Sequence, residues 1–164
     1  PILFDNSKDA LEVIRHSCAH LMAQAIKALY PDAKFFVGPV IEDGFYYDFR
    51  VGVKIGDADL KAIEQKMSEL ANAKLPIEKI CTTKTEVVKH FANDDLKQEV
   101  LLRIPEGEVS IYKQGDFEDL CRGPHVPNTK YLRFFKLIKV QIALAIGHVV
   151  DSNDGLVGIH VDQA

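Results

Sequence analysis

Residues 7–31 read SKDALEVIRHSCAHLMAQAIKALYP, and this stretch decides how the rest of the chain is arranged. Ser7 is a helix-capping residue type and Pro31 cannot continue a helix, so the spacing predicts one from about Lys8 to Tyr30. Its apolar residues Leu11, Ile14, Cys18, Leu21, Met22, Ala25 and Leu29 recur at helical spacing and form one stripe. Stepping about 100° per residue puts His16 and His20 opposite that stripe, beside Ala23 and Lys27. Cys18 falls inside the stripe and reads as core. The two histidines are expected to face away from the main packing surface, toward solvent or a cleft.

Working outward, Phe35 to Ile41 and Phe45 to Phe49 have strand composition, with Glu42-Asp43-Gly44 as a tight turn between them. A second helix fits Asp59 to Lys74, with Leu60, Ile63, Met67 and Leu70 on one face and Pro76 beyond its end. Ile77 to Thr82 reads as a strand, and Thr83 followed by Glu86 as a capping box for a short helix ending near Ala92. Leu96 to Ile104 reads as another short helix stopped by Pro105. Strands are expected at Val109 to Lys113, Phe117 to Cys121 and Arg133 to Val140. Arg122-Gly123-Pro124 places a loop between Cys121 and His125. Unlike elements in runs, without regular alternation, predict an α+β fold: a mainly antiparallel sheet packed with a long N-terminal helix and shorter helices. No internal repeat or low-complexity linker interrupts the chain. Glycines cluster at Arg50 to Asp57, so a soft boundary between two subdomains is expected near residues 50–57.

The chain has 164 residues, enough for one domain with a real core. A formal charge of −4 argues against a general nucleic-acid binder, although such a chain can act on a nucleic acid held by other parts. Three cysteines argue against a disulfide framework and for a reducing compartment. No stretch reads as a secretory signal or as an apolar span long enough for a membrane, so the expected location is the cytoplasm. Pro1 in place of an initiator methionine favours a fragment of something longer.

The chemistry is carried by two pairs. His16 and His20 lie four residues apart on the first helix, and Cys121 and His125 lie four apart across the Arg-Gly-Pro loop. Either pair alone is a weak signal; together, in a chain with six histidines, they are stronger. Two chemistries fit. Three imidazoles and a thiolate can hold zinc tetrahedrally, with a position for water when one protein ligand leaves. Alternatively, neutral imidazoles and a carboxylate position a water directly, and one histidine takes its proton. Residue types favour zinc by a small margin. Asp119 could orient a histidine or the water in either scheme, or be a solvated loop acid beside Glu118. His90, His148 and His160 lack comparable partners and read as structural or surface residues.

Three strings carry a resemblance: Arg15-His16-Ser17-Cys18-Ala19-His20; Gly38-Pro39-Val40-Ile41-Glu42-Asp43-Gly44-Phe45-Tyr46-Tyr47-Asp48-Phe49; and Leu120-Cys121-Arg122-Gly123-Pro124-His125-Val126-Pro127-Asn128. In this order, over about Leu3 to Val140, they closely resemble the editing domain of bacterial threonyl-tRNA synthetase. The resemblance implies a deacylase hydrolysing mischarged Ser-tRNA(Thr), because a pocket built for threonine discriminates weakly against the smaller serine. It implies His16, His20, Asp119 and His125 around the aminoacyl ester and its water, with Cys121 in the same pocket and no metal required. His16 is the expected water activator or ribose-hydroxyl contact. Lys97, in Leu96-Lys97-Gln98-Glu99, matches a family lysine if a short deletion is allowed; otherwise it is an ordinary exposed helix lysine. Tyr47 and Gly38 would shape the small side-chain pocket. Alternation sends Tyr46 and Tyr47 to opposite faces, so at most one of them lines the site.

The implied partners are the acceptor end of tRNA(Thr) carrying serine and the remaining domains of a full-length synthetase. The whole of 1–164 then reads as an editing domain, except that residues 141–164 depart from the family pattern. Ile142 to Val150 is apolar enough for a buried strand. No aminoacylation is expected, since nothing here has room for that domain. Lys130, Arg133, Lys136 and Lys139 could steer a phosphate backbone, but fit a solvated strand face better. Two rivals remain: a zinc-dependent, alanyl-tRNA-editing-like deacylase, and a binding module whose zinc quartet (His16, His20, Cys121, His125) is purely structural.

Overall fold

The computed structural model describes residues 8–143 and 156–162. Its first element is helix α1 (Lys8–Leu29), ended by Tyr30 and Pro31 as the sequence predicts. The Ser7 cap lies outside the described residues. So do His148, the turn at Asp151-Ser152-Asn153 and most of the apolar run from Ile142 to Val150.

Strands β1 (Lys34–Phe35), β2 (Val40–Ile41) and β3 (Gly44–Arg50) follow. The expected single run from Phe35 to Ile41 is thus two short strands, interrupted at Gly38-Pro39. Proline offers no N–H to a ladder. At Gly38 a Cβ atom would lie 2.5 Å from the Tyr47 ring, so only glycine lets the chain pass this close. The hairpin holds, with Ile41 opposite Gly44 and Val40 opposite Phe45.

Helix α2 (Leu60–Asn72) is preceded by a 3-10 turn at Asp57–Asp59 and buries Leu60, Ile63, Met67 and Ala71. It stops two residues short of Lys74, which takes a left-handed backbone (φ 53°). Strand β4 (Ile77–Thr83), helix α3 (Lys84–His90), helix α4 (Asp95–Leu102), strand β5 (Glu108–Gln114) and strand β6 (Phe117–Leu120) come next. Thr83 caps α3 by accepting from the Glu86 N–H, and Asp94 caps α4 by accepting from the Lys97 N–H. Strands β7 (Lys136–Ala143) and β8 (Leu156–Asp162) complete the set. The expected strand from Arg133 starts three residues later and extends into the apolar run.

Every strand pairing among the described residues is antiparallel. Strand β3 is central in one sheet, flanked by β8 on one edge and by β1 and β2 on the other, with β7 outside β8. A second sheet has the order β4-β5-β6. The fold is α+β, with a long N-terminal helix, as predicted. Helix α1 packs on α2, on β3 and on β6, so it touches both sheets. The main core joins Leu21, Met22 and Ile26 of α1 to Phe45 and Phe49 of β3, Ile63 and Met67 of α2, and Phe117 of β6. Fully burying such side chains stabilises by about 1.5–3 kcal/mol each. A smaller cluster of Val87, Leu101 and Ile111 seats α3 and α4 on the second sheet.

The loop after β6 is tied down at its far end. Thr129 Oγ1 accepts from the Leu75 N–H and donates to the Leu70 carbonyl; Asn128 Nδ2 donates to the Lys74 carbonyl. These bonds to the end of α2 hold residues 121–128 across the face of α1. No helix among the described residues is long and apolar enough to cross a membrane.

Candidate functional site

The two pairs converge. Cys121 Sγ lies 3.3 Å from His16 Nε2 and 3.2 Å from His125 Nε2. The His125 ring centroid is 4.4 Å from that of His16 and 4.3 Å from that of His20. One metal-capable atom from each of His16, His20, Cys121 and His125 falls within 4.8 Å of the other three.

Their surroundings differ from the open face expected on α1. His20 is only 4% exposed, because β6 and the loop after it cover the side of the helix opposite the apolar stripe. His20 packs edge-on against Phe117 of β6, at 6.2 Å between centroids. His16, one turn earlier, keeps partial exposure and lines a cavity of about 480 Å³ with Glu12, Val13, Gly38, Val40 and Gly123. One histidine is sealed and the other opens on a cleft.

Burial sets the charge states. Desolvation holds the His16 imidazole below the usual histidine range, although the Pro124 carbonyl, which accepts a ring N–H, and Glu12 oppose it. His20 is held well below that range by burial, with His16 and Lys97 adding to the effect. His125 is pushed down to about 2 by burial and by the two other imidazoles. All three are neutral at pH 7 and can accept a proton or a metal. Burial pushes the Cys121 thiol up to about 11, against the Gly123 N–H, which donates to Sγ at 3.3 Å.

Behind His20 lies a buried polar chain. Lys97 Nζ is 2.5 Å from Asp119 Oδ1, and Tyr47 donates its hydroxyl to Asp119 Oδ2 at 2.5 Å. The Leu120 N–H donates to Oδ1 as well. Lys97 is 4% exposed and Asp119 1%, so neither is the solvated residue that one reading allowed. The Asp94 cap starts α4 so that Lys97 points inward. Asp119 sits on β6 on the same side as Cys121. Burial and Asp119 hold the Tyr47 phenol well above its ordinary range, hence protonated and donating. With its oxygens taken by an ammonium, a phenol and a backbone N–H, Asp119 fits orientation better than proton abstraction. Tyr47 is buried on the site side and Tyr46 lies on the other face, as alternation requires. Gly38 closes on the Tyr47 ring and lines the cavity with His16.

Three contributors were not singled out from the sequence. Ser17 Oγ sits 3.0 Å from His125 Nδ1. Tyr112 stands edge-on to the His125 ring at 4.4 Å. Gly123 has a left-handed backbone (φ 73°), and a Cβ there would collide with the Tyr112 hydroxyl. Helical phase could have found Ser17, which falls within about 60° of His20. Nothing in the sequence marks Tyr112. Away from the site, His90 pairs with Glu118 at 2.7 Å, and Lys136 pairs with Glu64 at 3.1 Å on the β7 side.

Residues 109–156 match the family described as the threonyl and alanyl tRNA synthetase second additional domain. The chain is 79% identical over 140 residues to a threonine–tRNA ligase of Campylobacter lari, covering 85% of this chain and 23% of the ligase. It is 77% identical over 146 residues to that of Campylobacter jejuni, covering 89% of this chain and 24% of the ligase. For Campylobacter hominis the identity is 73% over 143 residues. The chain thus spans about a quarter of the length of these relatives.

Proposed function

We propose, from a chain that corresponds to the editing-domain segment of threonyl-tRNA synthetases, that this pocket hydrolyses the ester of Ser-tRNA(Thr). The observation that carries the reading is the convergence of three neutral imidazoles and a thiol, with His16 facing a cavity. His16 accepts a proton from water as the water oxygen attacks the ester carbonyl. The carbon–oxygen bond to the ribose then breaks, and the imidazolium returns its proton to the ribose oxygen. His20 and His125 keep the pocket uncharged and oriented, while Lys97 and Asp119 fix Tyr47. Gly38 and Tyr47 bound the side-chain space, so that serine fits and the extra methyl of threonine meets the ring. The partners are the aminoacylated acceptor end of tRNA(Thr) and the other domains of the synthetase. Residues 1–164 act as one editing unit, with the glycine-rich stretch near 50–57 as a boundary between subdomains.

His16→Ala and His125→Ala each abolish deacylation of Ser-tRNA(Thr) while circular dichroism stays native. Unchanged hydrolysis by both variants would overturn the proposal.

A zinc-assisted version of the same hydrolysis is favoured by one observation: the Nε2 atoms of His16 and His125 both point at one sulfur. Tetrahedral zinc sets its ligand atoms about 3.3–3.7 Å apart, so the quartet needs little contraction to fit. Bound there by His16, His20, Cys121 and His125, zinc would polarise the ester or acidify a water. Metal analysis of protein purified without added zinc, and hydrolysis with and without chelator, separate the two. Retained hydrolysis in metal-free protein supports direct water activation. Loss of the fold on chelation points instead to a structural quartet.

A further inference from the structure

We propose that Ser17 is a positioning residue that locks His125 in the tautomer with its proton on Nδ1, leaving the Nε2 lone pair in the pocket. Ser17 is fully buried on α1. Its hydroxyl has three neighbours: the Val13 carbonyl at 2.8 Å, the Val126 N–H at 3.0 Å and His125 Nδ1 at 3.0 Å. A hydroxyl has one proton and two lone pairs. The Val126 N–H can only donate, so it takes one lone pair. The Val13 carbonyl can only accept, so it takes the proton. One lone pair remains for His125, and it is satisfied only if Nδ1 carries a hydrogen. The opposite tautomer would turn the Ser17 proton toward Nδ1 and leave two oxygens 2.8 Å apart with no hydrogen between them. Neutral imidazole has a single N–H, so Nε2 is then bare where it faces Cys121 Sγ.

The consequence reaches the whole quartet. Cys121 Sγ stands between His125 Nε2 and His16 Nε2 and has one proton to give. A bare His125 Nε2 can take that proton, and it is free for a water or a metal when the thiol turns to His16. Ser17 thus sets how many proton acceptors the pocket holds without touching the substrate itself. It also ties the loop to the helix, since the Val126 N–H ends on the same oxygen.

Two measurements test this, and the first does not depend on any substrate. Two-bond ¹⁵N–¹H spectra of the histidine-labelled chain report which His125 nitrogen is protonated. The expected result is Nδ1–H with Nε2 bare in the wild type, and a mixture containing Nε2–H in Ser17→Ala. Ser17→Thr, which keeps the hydroxyl, should restore the wild-type pattern. The second measurement rests on the hydrolytic reading above: Ser17→Ala should lower kcat for Ser-tRNA(Thr) about 10–100-fold, the usual cost of removing an orienting partner, with KM unchanged. A wild-type His125 protonated on Nε2 would overturn the proposal. So would a Ser17→Ala variant with an unaltered tautomer. If the tautomers behave as expected but the wild type hydrolyses nothing, the functional reading fails and this one stands.

Discussion

The two sides of α1 are both buried between Ser17 and Ile26, yet they are built from different chemistry. One side presents Cys18, Leu21, Met22 and Ala25 to the apolar core shared with α2 and β3. The other presents Ser17 and His20 to the loop after β6 and to β6 itself, and Gln24 to the end of β5, and each finds a specific partner there. Gln24 exchanges hydrogen bonds with Gln114: its Nε2 donates to the Gln114 backbone carbonyl, and Gln114 Nε2 donates to Gln24 Oε1. Apolar packing tolerates approximate shapes, whereas a buried polar side needs every donor matched. The polar side of α1 is pre-organised by hydrogen bonds, and His16 and His20 of the candidate site stand on it.

The largest break in that comparison should come from Asp119→Ala. It leaves the Lys97 ammonium buried without its partner, and such losses cost about 3–5 kcal/mol. By contrast, Asp95→Ala removes the exposed pairs with Lys34 and Arg50 and should cost no more than about 1 kcal/mol. Urea unfolding of the two variants checks this, and equal losses would contradict the buried network. On the apolar side, Met22→Ala should cost about 2–5 kcal/mol through the cavity it leaves. Its hydrolytic rate per folded molecule should stay at the wild-type level. Gln24→Ala should cost about 1–3 kcal/mol, because the Gln114 amide loses its acceptor.

Acid sharpens the same contrast. His20 is neutral in the folded protein with its pKa depressed, while the unfolded chain takes up that proton below about 6.5. Below that pH the unfolded state binds more protons, so stability is complete above pH 6.5 and falls as the pH drops. The loss is up to about 1.4 kcal/mol per pH unit for each such imidazole. Melting temperatures at pH 7.5 and 5.5 should differ in that direction, and a flat profile would contradict a neutral buried cluster. The smallest effect is kinetic. Cys81 is exposed, whereas Cys18 is buried and Cys121 is half-buried with its thiol pushed up to about 11. Alkylation at pH 8 should therefore label Cys81 first.

The fold is most legible in the sequence where local rules suffice. The stop of α1 at Pro31, the hairpin at Ile41–Gly44 and the cap at Thr83 follow from residue type and spacing. Helical phase separates Cys18 from the histidines, but α1 is buried on both faces and phase alone marks only the apolar one. Burial on the second face comes from β6, paired within a sheet nearly a hundred residues downstream, and no local pattern announces it. A separation in sequence likewise hides Lys97 and Asp119, which lie on different elements, α4 and β6. Each alone looks like a surface charge, and only their 2.5 Å approach makes them interior residues. Nothing local marks Ser17, because its role depends on a loop residue 108 positions away.

On the function proposed above, this pocket removes serine, and not threonine, from tRNA(Thr). The direct measurement is single-turnover hydrolysis of Ser-tRNA(Thr) beside Thr-tRNA(Thr), with protein in excess so that weak tRNA binding does not limit the rate. Fast release of serine, little release of threonine, and loss of the serine activity in His16→Ala are expected of this function. Equal release of both amino acids, or serine release that survives the loss of His16, would contradict it.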